Sequence, residues 1–600
     1  MSSRTVSNYR RKLNLHIVVN QDRVTRIMQV LSFFVSLGTI AAIVIYHGFY
    51  ITVEVKETIR TIVFASIFFY VIKYFLLLFY SLNIKKRIRE TLFEFVVIIL
   101  LIINLLSNLF LPDNLNILQG KFSDYYLLLI QLFFLVVVTI ELSKASTFLT
   151  KIHLSPSSLM LLSFLILISV GTLLLMLPRM TTNGISFIDA LFTSTSATCV
   201  TGLTVINIGS EFTLKGQVVI MILIQLGGIS ILTFATFFTT FLSGAKQGLR
   251  YQYMIKDLLS TNKLSETYLL LREIVTASFF IEIAGALLLY MYWKNIGIFD
   301  TEGQTVFYSL FHAVSAFNNA GFSLWDANLM DPQVTFSYFP LSIIMILVFL
   351  GGIGFVVISD FFNPQFIRER KKFRWKKLLP GTQIVLMTTF MILLFGTIVL
   401  YFLEKDISLA ERTTFFDKVF TSLFHVVVAR TAGFNMVNLA NMAIPGMFLL
   451  IVIMFIGASP GSTGGGIKTT TFFVLIKSVL ATIQGKKSIE FNKKTIPFEL
   501  VDKAYSIVFM SLMIVILSVF ALAIVEPTFD FIDILFETVS AFATCGLTSG
   551  ISPEFSSAGK TILIIDMYIG RVGTLTLAYA LSKRVKESRH QYPDTYFMVG

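Results

Sequence analysis

The sequence predicts an all-α polytopic membrane protein. It has four tandem parallel repeats, each a helix, a pore half-helix, a filter loop and a helix, around one central pore, with about four extra transmembrane helices in front. Three observations lead there. First, 55% of the 600 residues are hydrophobic and mean hydropathy is +0.79, above the roughly 45–50% apolar share of soluble domains, and the excess falls in long runs. Second, one short polar stretch recurs four times, centred on Gly202, Gly321, Gly433 and Gly546, at spacings of 119, 112 and 113 residues. Third, the basic residues behind the net charge of +13 sit between apolar runs, where membrane orientation signals belong and not where a nucleic-acid surface would be.

Taken in order, the chain opens with a basic tail (Arg4, Arg10, Arg11, Lys12, Arg23, Arg26) that predicts a cytoplasmic N-terminus. Apolar segments follow at 27–47, 60–82, 91–111 and 123–143. The first is long enough to be a retained span rather than a cleaved signal peptide. None carries arginine at every third position, so a voltage sensor is excluded; Lys73 and Glu94 are expected to snorkel or pair. The expected units are an N-terminal four-helix extension over 1–150, then repeats over 151–250, 251–370, 371–490 and 491–600.

Expected spanning helices in the repeats are 159–177 and 218–242, 269–293 and 338–361, 383–403 and 445–480, and 505–525 and 561–581. Eight spans plus the first four make twelve, which returns the C-terminus to the cytoplasm. The linkers 246–263, 368–377 and 486–503 are basic, while loops on the opposite side carry Glu211, Asp300, Glu302, Asp326, Asp331, Glu404, Asp406 and Glu554. The repeats are therefore parallel, unlike the inverted repeats of many secondary transporters.

Each glycine follows a helical segment, 189–197 in the first repeat and 533–541 in the fourth, that is shorter than the about 20 residues a span needs. Such a half-helix must stop inside the membrane, and irregular backbone there has to be packed in protein or face a water-filled path. Four related loops predict a ring of carbonyl oxygens, the build of a cation selectivity filter. Asp189 and Asp533 are expected to cap their half-helices. Cys199 and Cys545 make neither a disulfide framework nor a metal site. His312 and His425, one per half-helix, are expected to pack or hydrogen-bond, and Arg430 to brace the third loop through its donors. No nucleophile–base pair is visible, so an enzyme is not predicted.

The third repeat holds Gly457-Ala-Ser-Pro-Gly-Ser-Thr-Gly-Gly-Gly466-Ile-Lys468 in the middle of its last expected span. Glycines and Pro460 at this density cannot continue a helix, so the helix breaks at membrane depth. Arg571 lies within the final expected helix, where a charge costs about 2.5–3.5 kcal/mol on insertion scales, and must face a partner or the wet path. Its expected partners are the loop or an acid such as Asp566 or Glu282.

The four-repeat arrangement, Thr201-Gly202-Leu203-Thr204 and above all Ala429-Arg430-Thr431-Ala432-Gly433-Phe434-Asn435 resemble the Trk/Ktr/HKT superfamily of potassium transporters, near its bacterial TrkH and KtrB members, over 155–600. The resemblance implies gated, channel-like potassium uptake across the cell membrane, with a sodium-permeable or sodium-coupled relative as the alternative. It makes Val200, Thr201 and Gly202, Asn319, Ala320 and Gly321, Thr431, Ala432 and Gly433, and Thr544, Cys545 and Gly546 the potassium-binding positions. Glycine at all four ring positions implies potassium preference, since a serine at the first accompanies sodium selectivity in some relatives. Gating is implied for Gly457, Ser459, Gly461, Ser462, Gly464, Gly465, Gly466 and Lys468, with Arg571 beneath the filter. Also implied are membrane lipid around the protein, a homodimer with one pore per subunit, and a cytoplasmic ring of nucleotide-binding (RCK-type) regulatory subunits. No organic cofactor and no nucleic acid are implied. TrkH-like proteins carry two helices ahead of the first repeat and KtrB-like ones none, so the four expected here are a departure.

Overall fold

The computed structural model describes residues 3–80, 156–229, 264–373 and 378–581. The spans expected at 91–111 and 123–143, Glu94, the end of the 218–242 span and the basic linker 246–263 lie outside the described residues.

The first two helices, α1 (Ser3–Gly48) and α2 (Val53–Phe79), pair antiparallel. Small hydroxyls make the seam: Ser36 Oγ meets Tyr70 OH at 2.5 Å, and Thr39 Oγ1 donates to Ser66 Oγ at 2.8 Å. In lipid, helices gain little from apolar contact with one another, so such bonds and close backbone approach hold the pair. Its far end meets the rest of the chain where Arg179 N and Lys215 Nζ donate to the carbonyls of Gly48 and His47.

The same order of elements then recurs four times. A long helix comes first: α3 (Pro156–Leu175), α6 (Leu264–Ile296), α11 (Pro380–Glu404) or α15 (Phe498–Val525). A short one follows: α4 (Phe187–Cys199), α7 (Glu302–Phe317), α12 (Phe415–Val428) or α16 (Phe531–Phe542). After a loop the chain continues in α5 (Leu214–Ile229), α8 (Tyr338–Ile353), α13 (Ile444–Ile456) or α17 (Ser557–Val572). Further helices are α9 (Phe355–Phe362), α10 (Pro364–Lys372), α14 (Thr469–Ile483) and α18 (Thr574–Leu581), and single helical turns lie in the four loops at Ile208–Glu211, Asn328–Met330, Leu439–Asn441 and Ser552–Glu554.

Polarity runs from apolar outside to polar inside. In α3, Phe164, Leu167, Ile168 and Leu175 turn inward while Leu165, Ile166, Val170 and Leu173 stay exposed, the helical period of a one-faced helix. The short helices are enclosed: Thr193, Ser194, Thr195, Ser196 and Thr198 have no exposure at all. Six described helices are long and apolar enough to cross a membrane, or seven if α8 and α9 count as one bent span.

Packing between repeats is cyclic. Each post-loop helix lies against the short helix of the next repeat: α5 on α7, α8 on α12, α13 on α16, and α17 back on α4.

Three of the expected spans are broken. The break in 445–480 falls where the glycine-rich run predicts it, between α13 and α14. The spans 338–361 and 561–581 break as well, a correction: α8 and α9 meet at 100° around Gly354, and Gly573 separates α17 from α18. Both glycines take left-handed torsions, φ 92° and 89°, which side chains with a Cβ rarely adopt. The half-helix caps are corrected too. Ser186 caps α4, accepting from Asp189 N at 3.2 Å, and Asp189 instead takes Ser186 Oγ and Lys560 Nζ at 2.6 and 2.7 Å. In α16 the cap position is Asp530, whose side chain makes no capping bond. The basic linker after α14 contains a hairpin, β1 (Ile489–Phe491) and β2 (Lys494–Ile496). Its two-residue turn, Asn492 and Lys493 at φ 50° and 62°, suits the twist of paired strands.

Candidate functional site

Each short helix ends in a loop that turns the chain the same way. The residue two before each glycine has left-handed torsions although it carries a side chain: Val200 at φ 58°, Asn319 at 58°, Thr431 at 105° and Thr544 at 50°. Such positions cost of order 1–3 kcal/mol each and persist where surroundings over-determine them. The glycines follow at φ 96°, 68°, 68° and 87°.

The four loops meet in a closed ring. A Cβ built on Gly202 would lie 2.3 Å from Ala320 O, one on Gly321 2.5 Å from Ala432 O, one on Gly433 2.7 Å from Cys545 O, and one on Gly546 2.1 Å from Thr201 O. Every glycine thus abuts the carbonyl preceding the next, in chain order, and the fourth returns to the first. No room exists for a side chain at any of the four. Asn319 and Thr431 add a bond across the second and third quarters, 3.2 Å between amide and hydroxyl.

The ring is rich in oxygen and poor in donors. It comprises four sets of three residues: Val200, Thr201 and Gly202; Asn319, Ala320 and Gly321; Thr431, Ala432 and Gly433; Thr544, Cys545 and Gly546. Among the described residues only one of their carbonyls has a protein donor, Gly321 O, which receives Asn328 Nδ2 at 3.5 Å. Buried carbonyls are normally paired, so a run of unpaired ones suits a partner from outside the chain. Acceptor oxygens replacing a hydration shell are what a desolvated cation requires. The short helices also aim their C-terminal, negative dipole ends at the ring.

The broken segment 457–468 presses against this ring. A Cβ on Gly464 would fall 2.0 Å from Thr431 Oγ1 and one on Gly465 2.2 Å from Thr544 Oγ1, so the segment touches the third and fourth quarters. Thr463 Oγ1 donates to Phe317 O at 3.3 Å, reaching the second. Ser459 N donates to Gly352 O at 3.1 Å, and Phe355 N to Gly461 O at 2.9 Å. Within the segment, Ser462 Oγ donates to Ser459 O at 2.6 Å and Lys468 Nζ to Gly464 O at 2.6 Å. Gly457 and Gly466 pack together where the segment leaves and rejoins the helices.

Arg571, at the end of α17 and not in mid-helix, completes the tie. Its guanidinium donates to Thr463 O in the segment and to Gly227 O and Gly228 O at the end of α5. The alternative partner, a carboxylate, is absent: among the described residues Arg571 has no ion pair. Asp566 accepts from Ser518 at 2.6 Å, and Glu282 from Gln225 and Asn318 at 2.9–3.1 Å.

Arg430 also departs from expectation. Among the described residues its buried Nε and Nη2 meet no partner, and Arg412 braces the third loop instead, donating to Thr335 O, Thr335 Oγ1 and Met436 O at 3.0, 2.7 and 2.9 Å. Cys545 Sγ turns behind its loop towards Ala429 O at 3.3 Å, and Cys199 is buried. Further glycines belong to the site although no sequence signal separates them from helix glycines in general. A Cβ on Gly227, Gly351 or Gly570 would fall 1.9, 1.9 or 1.7 Å from the carbonyl of Thr198, Phe317 or Phe542, so each lets a post-loop helix close on the last turn of a short one.

The family model TrkH, described as a cation transport protein, matches residues 129–590. The chain is 39% identical over 456 residues to the Ktr system potassium uptake protein B of Bacillus subtilis (strain 168), covering 75% of this chain and 98% of that protein. It is 33% identical over 458 residues to the potassium/sodium uptake protein NtpJ of Enterococcus hirae, covering 75% and 98%. In fold it is similar to the crystal structure of the potassium transporter TrkH from Vibrio parahaemolyticus, with a TM-score of 0.58 and 20% identity over 83% of this chain and 97% of that one.

Proposed function

The chain belongs to the TrkH family of cation transport proteins, multi-pass membrane transporters and not enzymes, and from that premise we propose that it takes up potassium through a gated, channel-like pore at the glycine ring. What carries the reading is that the four loops close on one another within one chain and leave their buried carbonyls almost without protein donors. Ions would enter from the side of the acidic loops, exchange water for the carbonyls of the residues ending at Gly202, Gly321, Gly433 and Gly546, and meet the 457–468 segment as a gate. The membrane potential supplies about 2.3 kcal/mol per charge for each 100 mV.

In the closed state Arg571 and Lys468 place two cationic groups beside the gate, and Arg571 fixes it to α5. Opening requires Thr463 to leave Arg571 and Phe317. A homodimer is the working assembly, with both chain ends cytoplasmic. The basic linkers 368–377 and 486–494 are candidate docking surfaces for nucleotide-binding regulatory subunits, with anionic lipid as the alternative partner.

Sodium is the second reading, favoured by the likeness to a potassium/sodium uptake protein. Uptake of potassium, rubidium and sodium into vesicles holding the purified protein decides between them. Potassium and rubidium should compete while sodium does not. In Gly202→Ser the added side chain meets Ala320 O, and preference for potassium should fall at least about tenfold, about 1.4 kcal/mol. Unchanged preference would remove Gly202 from the pathway.

A further inference from the structure

Behind three quarters of the ring stands a buried side chain whose common property is an acceptor atom. His312 and Glu537 each precede their ring glycine by nine residues. His425 precedes Gly433 by eight, because the third short helix ends one residue tighter: Ala432 N bonds back four residues to Val428 O, whereas Thr201, Ala320 and Cys545 bond back five. All three are at most 1% exposed.

Each accepts the same backbone amide, the one three residues beyond the glycine. Leu324 N donates to His312 Nε2 at 3.4 Å, Met436 N to His425 Nε2 at 3.4 Å, and Ser549 N to Glu537 Oε1 at 2.9 Å. The histidine tautomers follow from their other nitrogens. His312 Nδ1 lies 2.8 Å from Tyr308 O and His425 Nδ1 2.9 Å from Thr421 O, so Nδ1 carries the proton and Nε2 keeps its lone pair. Glu537 goes further, also taking the hydroxyls of Thr548 and Ser552. In the first repeat the matching residue, Thr193, turns its hydroxyl to Asp189 O and makes no such bond.

We propose that His312, His425 and Glu537 are positioning residues for ion selection, each clamping the outer strand of its loop so that the ring carbonyls keep one spacing. The inference rests on the ring being the ion pathway. Two unlike residue types meeting the equivalent amide in three loops is more than packing, which would ask only for matching volume. Because the first quarter lacks the clamp, the three clamped quarters set the aperture against which it settles.

The test is potassium-over-sodium discrimination by the full-length protein in vesicles, at matched folding by thermal melt. His312→Leu, His425→Leu and Glu537→Leu remove the acceptor and should each lower discrimination about fivefold, the effect of one buried hydrogen bond. His312→Gln, His425→Gln and Glu537→Gln keep an acceptor oxygen and should retain most of it. Folded leucine variants that discriminate like the parent overturn the proposal. So does a Glu537→Gln loss equal to that of Glu537→Leu, which would mean that the charge matters and not the accepted amide. Where a leucine variant does not fold, the Gln and Asn variants decide, since Asn is one methylene too short to reach; equal discrimination by the two overturns it. A parent protein that passes both ions alike sinks the pathway reading instead.

Discussion

A methyl group on Gly570 would sit 1.7 Å from Phe542 O, a backbone atom that cannot step aside without parting α17 from α16. Gly570→Ala should therefore lose about 1–3 kcal/mol or more, seen as a lower melting temperature in detergent. Gly381→Ala, in the first turn of α11 with nothing within 4 Å, should be neutral or gain about 0.4–1 kcal/mol through the unfolded chain. Asp189 gives a pH test at the same scale. Burial alone would raise its carboxyl, but the hydrogen bonds from Lys560 and Ser186 and the charge of Lys560 hold it below its usual range. A depressed folded pKa stabilises above the unfolded pKa, and that contribution is lost as pH falls through the folded one. Lys560→Met should thus melt lower than the parent at neutral pH, and the gap should close in acid.

Among the elements, the 457–468 segment is held largely by hydrogen bonds to carbonyls and by contact with threonine hydroxyls. Such contacts can exchange for water, whereas packed helices cannot part so cheaply. Arg571→Gln shortens the reach to Thr463 and Gly227 and should raise potassium flux through the purified protein without any partner; flux at or below the parent level would rule out the tie. This segment was legible because its glycines and proline are dense. The breaks at Gly354 and Gly573 were not, since one glycine in an apolar run costs a helix only about 1 kcal/mol and looks like any other. The ring was legible because glycine recurs at matched spacing with matched flanks. The equivalence of His312, His425 and Glu537 was hidden, since two residue types and a one-residue shift disguise a single role. Arg430 misled for the opposite reason: its residue type promises donors, but among the described residues its buried Nε and Nη2 meet no acceptor.

At the scale of the molecule, the family match begins at residue 129, and among the described residues α1 and α2 make backbone and lysine hydrogen bonds to the repeats near Gly48 and His47. A chain lacking 1–150 should therefore still insert and carry potassium into vesicles. Complete loss of flux in folded, truncated protein would make the N-terminal extension part of the machinery. The packing of α17 on α4, and of Gly546 on Thr201, joins the last repeat to the first. During synthesis, then, no complete ring can exist before the chain has been made through Gly546 and α17. A chain stopped short of that point lacks the piece that closes the circle, so it holds three quarters of a ring and no enclosed path.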